Sequence, residues 1–275
     1  MSATFTVANF NTHAGIDGWG RRFDAVAACV HIGADILVLE EDWIADDPID
    51  SLGAVVAERL GFGIVSASSG RGRRLLPPEN ATSLPTRWAP LRIANKPKSI
   101  RLDGQARSDR TRLSATKESS RSTTGMWATS LISRFPILDH ELMSLPMLRG
   151  DLARRTAIVA KIDVGPGAPI TLIGVHLGHL THGSTRQIRL LRQRIAATSG
   201  PIILAGDLNC WGPPLRLLLR GVHDTVHGAT WPAWRPHSRI DHILTNEVSR
   251  VVSSTVLGPT GSDHLPISAT FSVHT

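Results

Sequence analysis

Apolar and polar residues alternate around Phe5 and Val7, apolar positions recur at helical spacing over 23–30, and Ile36-Leu37-Val38-Leu39 forms a continuous apolar run. This pattern predicts strand, helix, strand. A second helix is predicted near 49–60 and a strand over 62–65. From Ser66 to Thr124 the periodicity vanishes, while Pro77, Pro78, Pro85, Pro90 and Pro97 accumulate among Ser, Thr and basic residues. Beyond this stretch, β-formers predict strands over 127–132, 137–145, 157–164 and 170–175. A helix over 185–197 carries Ile188, Leu191 and Ile195 at helical spacing, with arginines on its other faces. A strand over 202–205, a short helix over 213–219 and strands over 240–244, 248–257 and 267–273 complete the pattern. Many strands with few, widely spaced helices predict an α/β chain of two packed sheets flanked by helices.

At 275 residues the economical reading is one domain, 1–275, interrupted by a flexible insertion at the rim over about 66–124. With 41% hydrophobic and 19% charged residues, global disorder is excluded and a sizeable core is expected. No apolar run approaches about 18 residues. The first residues have neither a basic nor an apolar leader pattern, so a cytoplasmic location and no transmembrane segment are expected. Cys29 and Cys210 lie in no metal-ligand spacing and are expected to be free thiols. Nothing in the pattern speaks to oligomeric state, and a monomer is the default.

Charge changes this picture. The net charge is +7, yet 66–124 alone holds thirteen Lys and Arg against four acids, leaving the rest of the chain at −2. A basic segment on a near-neutral body suits a polyanion such as nucleic acid, anionic lipid or a phosphorylated small molecule. A solvated loop kept soluble by its charge is the alternative.

Six of the strand-like runs end in polar clusters: Asn9-Phe10-Asn11, Glu40-Glu41-Asp42, His176, Gly206-Asp207-Leu208-Asn209, Asp241-His242 and Ser262-Asp263-His264. Strand ends in layered α/β folds can converge on one mouth. The residue types suit phosphoester hydrolysis. Carboxylates such as Glu41 and Asp263 are hard oxygen ligands for Mg²⁺ or Mn²⁺. Amides such as Asn9 and Asn209 donate to phosphate oxygens without adding negative charge. Histidines exchange protons near neutrality once a carboxylate fixes their tautomer.

In order along the chain, these motifs resemble those of the endonuclease/exonuclease/phosphatase superfamily. Val7-Ala8-Asn9-Phe10-Asn11 is similar to its opening N-x-N/D strand. Asp35-Ile36-Leu37-Val38-Leu39-Glu40-Glu41 is similar to D-I-[LV]-x-L-Q-E, with Glu40 in place of the usual Gln. Ser130-Leu131-Ile132-Ser133-Arg134-Phe135-Pro136, Val175-His176-Leu177, Gly206-Asp207-Leu208-Asn209, Arg239-Ile240-Asp241-His242-Ile243-Leu244 and Ser262-Asp263-His264-Leu265-Pro266 resemble the later motifs. The resemblance implies a four-layer α/β/β/α sandwich of two mixed sheets and a metal-dependent phosphoric ester hydrolase. It implies Glu41 as principal Mg²⁺ or Mn²⁺ ligand, helped by Asn9, Asn11 and Asp263. It further implies that Asp207 orients or deprotonates the attacking water, that Asn209 and His176 hold the phosphate, and that His264, paired with Asp241, acts on the transition state. Whether Asp207 or His264 is the base stays open.

Other features have plainer readings. His176, His179 and His182 recur every third residue, but with no cysteine or HExxH-type base the spacing is a poor zinc site, and His179 and His182 are expected at the rim. Trp231 and Trp234 either line the mouth or pack over the last strands. Three function classes remain: a nuclease-like esterase, favoured by the basic segment; an esterase on inositol phosphates or phospholipid head groups; and a catalytically inactive binding module.

Overall fold

The computed structural model describes residues 4–17, 22–47, 51–76, 100–102, 121–148, 154–246 and 250–272. Two mixed sheets form its centre. The first joins β1 (Thr4–Asn11), β2 (Ile36–Ala45), β3 (Gly63–Leu76), β4 (Ile100–Leu102), β5 (Arg121–Ser133), β12 (Arg250–Val256) and β13 (Ile267–Ser272), in the order β12-β13-β1-β2-β5-β3-β4. The second joins β6 (Ile137–Ser144), β7 (Thr156–Ile162), β8 (Ile170–Gly174), β9 (Ile202–Asp207), β10 (His223–Asp224) and β11 (Asp241–Thr245), in the order β10-β11-β9-β8-β7-β6. Each sheet has one parallel pair, β1 with β2 and β8 with β9. Helices α1 (Ala25–Ile32) and α2 (Leu52–Leu60) cover the first sheet, and α3 (Thr185–Ala196) and α4 (Gly212–Leu218) the second.

Strand alternation sorts the apolar residues into three layers. Phe5, Val7, Ile36, Val38 and Leu131 of the first sheet meet Ile158, Ala160, Leu172, Ile203, Ala205 and Ile243 of the second in the central core. Residues of opposite parity, such as Ala8, Phe10, Leu37 and Leu39, pack on Cys29 of α1 and Val56 of α2. Ile173 and Leu204 pack on Ile188, Leu191 and Ile195 of α3 and Leu215 of α4. Three apolar layers between four structural ones make the α/β/β/α sandwich. α1 begins where the Asp24 carboxylate accepts from Ala27 N–H at 2.8 Å, and ends at left-handed Gly33.

One expectation needs correction. β3 continues through Ser66 to Leu76 and β5 begins at Arg121, so both ends of the stretch expected to lack regular structure are strands. Local periodicity fails there because Gly70-Arg71-Gly72-Arg73-Arg74 does not alternate. Cross-strand pairing nevertheless continues from Arg71 opposite Met126 to Leu76 opposite Arg121. The remainder of the expected insertion, 77–99 and 103–120, lies outside the described residues.

Gly206 shows how tightly the second sheet closes beneath its polar end. A Cβ there would lie 1.8 Å from the carbonyl oxygen of Val175. Gly206→Ala is therefore expected to cost about 3 kcal/mol of stability in chemical denaturation. A variant as stable as the wild type would contradict this packing.

Candidate active site

The rows of side chains that face between the sheets are apolar over most of their length and turn polar at one end. Phe5 and Val7 are followed on the same face by Asn9 and Asn11; Ile36 and Val38 by Glu40; Ile203 and Ala205 by Asp207. On β11, Asp241 continues the row of Ile243 and pairs in register with Asp207 on β9. β1 and β9 end here, β2 is interrupted here by a bulge and β11 starts here, so the polar positions converge. The loop before β13 brings Ser262, Asp263 and His264 to the same place, where the Ser262 hydroxyl donates to the Asn11 carbonyl at 2.7 Å.

Asp207 is the hub. Its Oδ1 accepts from the Asn209 backbone N–H at 2.9 Å and its Oδ2 from the Asn11 amide at 3.2 Å. His176 Nε2 lies 3.5 Å and His264 Nε2 4.0 Å from the same Oδ2. His264 Nδ1 is 3.0 and 3.1 Å from the two Asp241 oxygens, which fixes the imidazole with Nε2 toward Asp207. The Asn209 amide donates to the Leu177 carbonyl at 2.9 Å and lies 3.3 Å from His176 Nε2. Gln187 on α3 holds the segment after His176, accepting from Gly178 N–H at 3.0 Å.

Burial and crowding split the ionisation of this group. Burial, reinforced by the Asp241 charge, pushes the Asp207 carboxyl up to about 7. Burial would lower His264, but Asp241, through its charge and hydrogen bond, together with Asp207 and Asp263, carries it well above the usual imidazole value. His176 is driven down by burial and by the nearby Arg155, and is neutral. The two groups are thus shifted in the same direction by their surroundings, Asp207 toward neutrality and His264 toward its cationic form.

A second group lies alongside. β2 bulges between Leu39 and Asp42, and Glu41 takes a left-handed backbone with φ 49°. The Thr12 hydroxyl is within hydrogen-bond reach of the carbonyls of Glu40 and Glu41, at 3.1 and 3.2 Å, and the next residue, His13, sits between two carboxylates. His13 Nε2 is 3.9 Å from Glu41 Oε2, and Nδ1 is 3.5 Å from Asp263 Oδ1 and 2.7 Å from the Ile16 carbonyl. Because a carbonyl only accepts, Nδ1 carries a proton, and Nε2 is the ring nitrogen turned toward Glu41. The His13 backbone N–H donates to Asn11 Oδ1 at 3.1 Å.

His13 was not a candidate from sequence. The available signal was spacing, since Asn11-x-His13 repeats the gap of Asn9-x-Asn11 two residues on. Asn9 lies deeper in β1, fully buried, and neither of its amide atoms has a hydrogen-bond partner among the described residues. Glu40 is equally buried, with both carboxyl oxygens likewise unpartnered. Trp231 and Trp234 lie on a loop that buttresses the site: Ala233 N–H donates to the Asp263 carbonyl and Leu265 N–H to Thr230, both at 2.8 Å. His179 and His182 are exposed and meet edge to face.

The model of the Endonuclease/Exonuclease/phosphatase family matches residues 8–264, which contain every residue of both groups. The chain belongs to this family. Its members are phosphoester hydrolases. In fold it is similar to the endonuclease/exonuclease/phosphatase from Beutenbergia cavernae DSM 12333, at 20% identity and TM-score 0.63, covering 98% of this chain and 72% of that one. It is similar also to D. rerio TDP2 complexed with single strand DNA product, at 14% identity, TM-score 0.60 and 98% of both chains. A third likeness is to ANGEL2, a 2',3'-cyclic phosphatase in complex with adenosine-2',3'-vanadate, at 12% identity and TM-score 0.62, covering 100% of this chain and 97% of that one. Among curated proteins none matches the chain by sequence. Asp207, Asp241 and His264 offer ligand atoms within 4.8 Å of one another and could themselves hold a metal ion. Within this group the His264 Nδ1–Asp241 hydrogen bond also suits a pair that holds or moves a proton.

Glu40 stands where the family usually has Gln, and burial, with Asp241 and Asp207 nearby, raises its carboxyl well above 4.5. The fold therefore favours its neutral form. That contribution is complete below the unfolded value and is lost as pH rises through the folded one. Glu40→Gln should accordingly gain thermal stability over the wild type at pH 8, by roughly 2–4 °C per kcal/mol relieved, and gain little at pH 4. Melting curves with the same difference at both pH values would contradict a neutral Glu40.

Proposed function

We propose that the chain is a divalent-metal-dependent phosphoesterase acting on phosphodiester or phosphomonoester bonds, with nucleic acid the favoured substrate. The observation that carries this reading is the pairing of an Asp207/His264–Asp241 acid/base group with a Glu41/Asp263 carboxylate pair that flanks His13.

The second group fits a metal ion. It offers two hard carboxylates and an imidazole whose Nδ1–H is taken by a backbone carbonyl, the usual outer support of a ligating histidine. Glu41, Asp263 and His13 would hold the ion, with Asn11 beside them, and Asn9 has no part in it. An imidazole in the set tilts the preference from Mg²⁺ toward Mn²⁺. When bound, the ion supplies Lewis-acid polarisation of a phosphoryl oxygen and charge for the leaving oxygen.

The chain's own residues do the rest. Asp207, held by Asn209 N–H and the Asn11 amide, takes the proton of the attacking water. His264, kept cationic by Asp241, donates to a phosphoryl oxygen as negative charge develops. The Asn209 amide and neutral His176 orient the phosphate without adding repulsion. An inactive binding module would have no need of this divided ionisation. The excess of basic residues over 66–124 favours nucleic acid through contacts to its phosphate backbone. Arg71 is a weak part of it, since its guanidinium is spent on Asp46 at 2.6 and 3.0 Å.

The test is hydrolysis of a generic aryl phosphodiester, plasmid DNA, RNA, inositol phosphates and sphingomyelin by the full chain with Mn²⁺ or Mg²⁺. Metal-dependent turnover is expected, lost on chelation and reduced about a thousandfold in Asp207→Asn. Its kcat/KM should climb with pH through neutrality as Asp207 ionises. Full activity in Asp207→Asn would overturn the mechanism, and turnover of head groups but not nucleic acid would overturn the substrate preference.

A further inference from the structure

Among the described residues, four other than glycine have a left-handed backbone: His13 (φ 43°), Ala14 (φ 52°), Glu41 (φ 49°) and Asn209 (φ 48°). Three of them present side chains at the site, and Ala14 follows His13 directly. Such a conformation costs an alanine or histidine free energy and persists only where surrounding contacts impose it. The origin of the constraint at Ala14 is therefore informative.

Local hydrogen bonds hold the ends of the turn, with Gly15 N–H donating to the Thr12 carbonyl at 2.9 Å and Ile16 N–H to that of His13 at 3.0 Å. The Ala14 carbonyl is taken from far along the chain, by the Arg74 guanidinium on β3, whose Nη1 donates to it at 3.2 Å. Arg74 is 7% exposed, and its guanidinium carbon lies 5.4 Å from the ring centroid of Trp43. Trp43 in turn meets Trp127 edge to face at 5.7 Å, in a small apolar cluster that includes Ala14. Arg74 Nε reaches the Thr123 hydroxyl on β5 at 3.4 Å. On another side of the turn, Ala14, Gly15, Phe23, Leu52 and Arg74 border a cavity of about 250 Å³. Packing there is open, and a directed hydrogen bond has more to do.

We propose that Arg74 is a positioning residue for the metal site, fixing the His13–Gly15 turn so that the His13 imidazole stays between Glu41 and Asp263. The proposal rests on the reading of those three residues as metal ligands. In sequence Arg74 counted toward the polyanion-binding excess of the basic stretch. In the fold its charge points inward, and the root of that stretch becomes part of the site's support. A planar fork that stacks on Trp43 while donating to two acceptors is work for arginine that lysine does only in part.

The experiment compares the full chain with Arg74→Gln and Arg74→Lys. It measures Mn²⁺ dissociation constants, hydrogen exchange of the Gly15 and Ile16 amides in metal-free protein, and thermal midpoints. Arg74→Gln is expected to weaken Mn²⁺ binding about tenfold or more, the usual effect of losing an outer support, and to speed exchange at both amides by a similar factor. Arg74→Lys is expected to lose about threefold in each, and it decides the matter should Arg74→Gln not fold. Wild-type affinity and wild-type exchange in a folded variant overturn the proposal, as does a lowered midpoint with neither change. If the wild-type chain itself does not bind Mn²⁺, the metal reading fails, and exchange at Gly15 and Ile16 alone then decides the role of Arg74.

Discussion

Two twisted sheets packed face to face impose a strict rule on the strands between them. Every second side chain enters a dry layer, and a polar group can stand in that row only near an end, where it meets a partner or the mouth. Here β1, β9 and β11 turn polar at their ends, and β2 does so beside them at its bulge. Val7 gives way to Asn9 and Asn11, Val38 to Glu40, Ala205 to Asp207 and Ile243 to Asp241. The central core thus does two jobs. Its apolar length fixes the spacing of the sheets and so leaves Asn11 of the first within reach of Asp207 of the second, while the pairing of β9 with β11 inside the second sheet sets Asp207 opposite Asp241. Gly206 allows the closest backbone approach just beneath, where a side chain would strike Val175.

The cost of this arrangement is concentrated charge. Glu40, Glu41, Asp207, Asp241 and Asp263 gather at one end, against few cations. The fold answers in three ways. Asp241 is matched by an imidazolium at His264, Asp207 is raised toward neutrality, and Glu40 is buried where its neutral form is favoured. Glu41 and Asp263, the more accessible pair, face His13 and suit a metal cation. Strain follows the same geography, since the four left-handed residues other than glycine among those described lie on the turn after β1, the bulge of β2 and the loop after β9.

Much of this was legible in the sequence because periodicity and motif order are local signals. The layered fold followed from the strand and helix spacing together with the ordered motifs, and Asp207, Asn209, His176, Asp241 and His264 do converge. What could not be read was tertiary. The arginines of β3 break alternation, so only pairing with β5 reveals a strand through Leu76. The opening motif offers two registers of the same spacing, and the bulge at Glu41 and the turn after Thr12 bring His13 beside Glu41 and Asp263, a residue the motif did not single out. Glu40 looked like added negative charge, and only its complete burial identifies it as a substitute for a neutral amide. Arg74 could not be separated from its basic neighbours until Trp43 and the Ala14 carbonyl were beside it.

The proposed division of the polar end into a proton-handling half and a metal-holding half is open to one direct measurement, Mn²⁺ titration of the wild-type chain, His13→Ala and Asn9→Ala. The division predicts a single class of Mn²⁺ site that weakens about tenfold or more in His13→Ala and stays within about twofold of wild type in Asn9→Ala. Undiminished binding in His13→Ala with loss in Asn9→Ala would contradict it.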